Sequence, residues 1–87
     1  MEKLRLNNDA VSWREVDGEV IALRHSSSEY LSTNPTGTLM WTALAEGASR
    51  AELTALLVSR FGIDADRAAA DVDAFVELLA SRGLLAA

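Results

Sequence analysis

Three short strands followed by three helices, an α+β arrangement, is the fold class this sequence predicts. The order of its local signals carries the prediction. Asp17-Gly18 is a two-residue hairpin turn set between apolar segments. Asn34-Pro35 joins an extended segment directly to a helix, with Asn34 as N-cap and Pro35 at the first helical position, where its missing N–H costs nothing. Two further helix starts follow, at Ser49, with Glu52 completing a capping box, and at Asp64.

The first third reads as strands, spanning about residues 3–33. Leu4 and Leu6 alternate with charged residues, and Val11, Trp13 and Val16 lie in a second extended segment. Beyond the turn, Val20-Ile21-Ala22-Leu23 is the continuous apolar run of a central strand. A two-residue loop pairs Val16 with Glu19 and Trp13 with Ala22, which leaves apolar residues on both faces. Ser26-Ser27-Ser28 is a polar turn, and Glu29 to Thr33 is the next strand, at the edge of a meander.

The first helix spans about residues 35–46, ends at Gly47 and buries Leu39, Met40, Trp41 and Leu44; Gly37 in its first turn weakens it. The second, about 49–61, buries Leu53, Leu56, Leu57 and Phe61 and stops at Gly62. The third, about 64–81, gathers Ala65, Ala68, Val72, Phe75, Val76 and Leu79 on one face. Asp66, Ala70, Asp73 and Glu77 lie on the other. Trp41 and Phe75 read as core aromatics. Three strands and then three helices make the layer arrangement of the winged-helix kind, as one domain over residues 1–87.

Composition narrows the function. The chain has 87 residues, 49% of them hydrophobic, with one Pro, no Cys and a net charge of -5. Without cysteine there is neither a disulfide frame nor a thiolate nucleophile, and the expected compartment is the cytoplasm. The first residues lack the apolar core of a signal peptide, and no apolar run reaches membrane-spanning length. The negative charge disfavours nucleic acid. A DNA-reading winged helix would use the second helix, in which only Arg50 and Arg60 are basic. His25 is the sole histidine, beside three serines; a Ser–His nucleophile needs an orienting carboxylate and an oxyanion hole, which nothing here specifies. One His with no Cys does not make a zinc site, the acids of the third helix lack calcium-loop spacing, and the glycines are too scattered for a phosphate loop. No catalytic residues, cofactor or metal are expected. The acidic face of the third helix is either a solvated surface or an attractor for a basic peptide beside an open sheet edge.

An ordered set of residues carries a resemblance: Trp13-Arg14-Glu15-Val16, the stretch from Tyr30 to Trp41, Leu44, Gly47, Glu52-Leu53, Leu57 and Phe61. Asp71-Val72, Phe75-Val76, Leu79 and Gly83-Leu84-Leu85 complete it. This pattern resembles the PqqD-like family, the recognition elements of ribosomally made, post-translationally modified peptides, with Thr33 standing where the family usually has Leu. The resemblance implies a three-stranded sheet against three helices and a non-catalytic protein. A precursor's leader peptide would add as a fourth strand beside the third, against the third helix. Carried onto this chain, Ser28, Glu29, Tyr30, Leu31, Ser32 and Thr33 would form the ladder side. Ala69, Val76 and the small Ala80, with Asp73 alongside and Asp71 at the family's acidic position, would form the other wall. A free-standing chain of this size is similar to the recognition proteins of lasso-peptide pathways. That likeness implies a separate leader peptidase and a cyclase as partners, and leaders patterned on Tyr, Pro, Leu and a later Gly. A DNA-binding winged helix and a subunit-docking module without peptide specificity are the alternatives.

Overall fold

The computed structural model describes residues 3–86. Strands β1 (Val11–Val16), β2 (Glu19–Arg24) and β3 (Glu29–Ser32) precede helices α1 (Pro35–Glu46), α2 (Arg50–Phe61) and α3 (Ala65–Ser81). The sheet is an antiparallel meander in the order β1-β2-β3, so β3 is an edge. The hairpin has the expected register, Val16 opposite Glu19 and Trp13 opposite Ala22. Asp17 and Gly18 both have positive φ, 52° and 80°, the backbone a two-residue turn matched to strand twist requires.

Side chains alternate across the sheet. Val11, Trp13, Val20, Ala22 and Leu31 face the helices and pack on or within the core, while Tyr30 and Ile21 lie on the open face. The core joins them to Met40, Trp41 and Leu44 of α1, Leu53 and Leu57 of α2, and Ala68, Val72, Val76 and Leu79 of α3. Trp13 meets buried Trp41 edge-to-face, centroids 6.0 Å apart. No helix among the described residues is long and apolar enough to cross a membrane.

The helix starts follow the sequence. Asn34 Oδ1 accepts from the Gly37 N–H at 2.8 Å, Ser49 and Glu52 form a reciprocal capping box, and Asp64 accepts from Asp66 and Arg67. Gly37 has a packing reason. A Cβ there would sit 3.1 Å from both Asn34 Oδ1 and Thr33 Cβ, and 3.5 Å from the Phe75 ring.

Three readings are corrected. Leu4 and Leu6 do not form a strand: each makes a single bridge, to Ala48 and Leu85, so this segment ties the α1–α2 joint to the C-terminal end. Charged alternation imitates a strand, but no neighbouring strand is within reach to extend the pairing. Phe61, the last residue of α2, is 43% exposed rather than buried with Leu53 and Leu57. Phe75 is half-buried at the margin of the core.

Candidate functional site

Hydrogen bonding fixes which backbone groups of β3 are free. Antiparallel pairs alternate between bonded and unbonded. His25 N–H donates to Ala10 O and Thr33 N–H to Val20 O, so odd-numbered residues of β2 bond to β1 and even-numbered ones to β3. On β3 the bonded residues are therefore Glu29 and Leu31, continued by Thr33, and they point at β2. The N–H and C=O groups of Tyr30 and Ser32 point to the open edge. Thr33 is more than a strand-former: its Oγ1 accepts from the Val20 N–H at 3.1 Å and lies 2.6 Å from Thr38 Oγ1, locking the strand end to α1.

A groove of about 660 Å³ lies where the end of β3 and the start of α1 face α3. Its floor and walls include Ser32, Thr33, Gly37, Met40 and Ile63, with Arg67, Asp71, Ala74, Phe75 and Leu78 from α3. The α3 residues recur at i, i+4, i+7, i+8 and i+11, so one helix face forms the wall. Leu78 is 46% exposed there. At the start of β3 the Glu29 carboxylate accepts from Arg82, just past α3, at 2.5 Å, which links strand to helix.

Of the residues expected from sequence, Ser32, Thr33 and Asp71 line this groove, and Glu29, Tyr30 and Leu31 lie along the same strand. Ser28 precedes the strand in a left-handed turn, φ 56°. The expected α3 flank is not the groove wall. Val76 is 2% exposed, within the core. Asp73 bonds Arg50 of α2 at 2.6 Å, and Ala69 and Ala80 share its flank by spacing, nearly half a turn from the groove face. The α3 residues that line the groove without having been expected are Arg67, Ala74, Phe75 and Leu78. The available signal was a surplus of apolar residues, since Phe75 and Leu78 exceed what the buried stripe Ala68-Val72-Val76-Leu79 needs.

Elsewhere, His25 is held rather than loose: one ring nitrogen lies 2.7 Å from Ser12 Oγ and the other 3.0 Å from Asp9 O. This exposed pair sits at the β1 side of the sheet, away from the groove. Among the described residues no group of three His, Asp or Glu is placed to hold a metal ion. An exposed ion pair stands at the start of α2. There the Lys3 ammonium and the Ser49 N–H hold the Glu52 carboxyl down to about 2.

Residues 19–85 match the family described as coenzyme PQQ synthesis protein D (PqqD). No curated protein sequence matches the chain. Two solved structures are similar along almost their whole length. One is of TbiB1 in complex with the TbiA(beta) leader peptide, 26% identical with TM-score 0.85, covering 93% of each chain. The other is of lasso peptide synthetase B1 complexed with the leader peptide, 27% identical with TM-score 0.82, covering 97% of this chain and 98% of that one.

Proposed function

This chain belongs to the PqqD family, and we propose that it binds the leader segment of a ribosomally made precursor peptide by adding it as a fourth strand beside β3. The observation that carries the reading is the open edge of β3 beside a groove walled by α3, in a fold whose relatives hold leader peptides. Main-chain groups of Tyr30 and Ser32 supply the ladder, and the groove takes apolar leader side chains against Phe75, Leu78, Met40 and Ile63. The protein presents the held leader to separate enzymes of a lasso-peptide pathway, a leader peptidase and a cyclase. It performs no bond-making itself and works in the cytoplasm.

Duplex DNA is a poorer fit. Arg50 of α2 is engaged by Asp73, and the chain carries a net charge of -5.

Backbone N-methylation of the TbiA(beta) leader, one residue at a time, tests the reading by calorimetry. Methyls on alternate residues should weaken binding about tenfold or more, since each removes a ladder donor, and methyls between them should be milder. Loss without a two-residue period, or binding of duplex DNA instead of peptide, would contradict strand addition.

A further inference from the structure

The start of β3, at the opposite end of the strand from the groove, carries more positive charge than the protein itself neutralises. Glu29 is shared by two guanidinium groups: Arg82 Nη1 donates to Oε2 at 2.5 Å and Arg24 Nη1 to Oε1 at 3.5 Å. All three side chains are largely covered, at 26%, 32% and 38% exposure for Arg24, Arg82 and Glu29. Arg24 Nε is shielded from solvent and has no hydrogen-bond partner. Among the described residues no second carboxylate pairs with either arginine, the other ion pairs being Lys3–Glu52 and Arg50–Asp73. The cluster is thus left with one uncompensated positive charge in a chain that is acidic overall. A half-buried cation in this state is costly, and a second carboxylate is the usual remedy.

The sheet register says where that carboxylate arrives. Glu29 stands opposite Arg24, on the same inward face as Leu31 opposite Ala22. A strand added to β3 places one of its side chains opposite Glu29, on that face, at a Cβ separation of about 5 Å, whichever way the strand runs. We infer that the bound leader carries an aspartate or glutamate at this position, two residues from the side chain opposite Leu31, and that Arg82 and Arg24 receive its carboxylate. This deepens, and rests on, the strand-addition reading. It makes Arg82 and Arg24 residues that set the register of the added strand and its selectivity opposite the start of β3, while the acidic flank of α3 takes no part.

The test is a displayed library of the TbiA(beta) leader, each position saturated singly and selected on the wild-type protein, with isolated hits measured by fluorescence anisotropy. One position should enrich Asp and Glu, with affinity about fivefold or more above the Asn and Gln peptides and lowest for Lys. On Arg82→Gln, checked for native melting, that preference should shrink to about twofold or less, while apolar preferences at the other inward positions persist. If peptides bind and obey the two-residue N-methyl period, yet Asp, Asn and Lys are equivalent everywhere, the carboxylate site is refuted and strand addition stands. If no leader variant binds at all, strand addition itself fails. The wild-type series decides between these without the variant.

Discussion

Thr33 shows how much of the site depends on single atoms. Its hydroxyl accepts the N–H of Val20, a fully buried residue, and meets the hydroxyl of Thr38, itself only 7% exposed. Thr33→Val keeps the shape and removes both bonds, leaving a shielded donor and a shielded hydroxyl unsatisfied. The loss should be about 1–3 kcal/mol in denaturant unfolding, whereas Thr38→Val, which spares the Val20 bond, should cost less. From sequence, Thr33 could be placed on the strand but not credited with this lock, because its partners lie on two other elements. The reason for Gly37 is local, since a Cβ there would crowd the Asn34 cap and the Thr33 side chain at 3.1 Å, but it depends on the cap geometry that only the folded chain shows.

At the scale of elements, caps and turns were legible because their signals are local. The hairpin register, Asn34-Pro35, the Ser49–Glu52 box and the Asp64 cap all read directly. What periodicity could not supply was which flank of α3 meets β3, since the acidic face and the groove face both border the same buried stripe. Seating the leader against the groove face of α3 has a direct consequence. Leu78→Asp puts a charge into the groove at a half-exposed position, so leader affinity should fall about tenfold or more with melting little changed. Asp73→Ala, on the α2 side, should bind leader as wild type does; equal affinities for the two variants would return the groove to the other flank.

The cap of α2 is also a pH-dependent element. Glu52 titrates at about 2 in the folded protein against an ordinary 4.5, so between these values the unfolded chain binds more protons than the native one. Stability from this group is therefore complete above about pH 4.5 and is lost as pH falls towards 2. Glu52→Gln retains a capping-box partner but not the ion pair with Lys3. The gap between wild-type and Glu52→Gln urea midpoints should narrow from pH 6 to pH 2.5; a constant gap would show that the pair contributes no pH-linked stability.

For the molecule as a whole, the three-strand, three-helix order followed from the sequence because each element announces its own ends. The functional surface did not follow as fully. The surface proposed to take the leader forms where β3, α1 and α3 converge, and only the folded chain shows that the outward amides belong to Tyr30 and Ser32. That alternation makes the central claim measurable atom by atom. Residue-resolved amide hydrogen exchange by NMR, with and without the TbiA(beta) leader, is the most direct test. The Tyr30 and Ser32 amides, exchanging freely in the unbound protein, should become protected when peptide is present. The Leu31 amide, already directed at β2, should change far less. Peptide binding that leaves Tyr30 and Ser32 exchanging as before would contradict strand addition at β3.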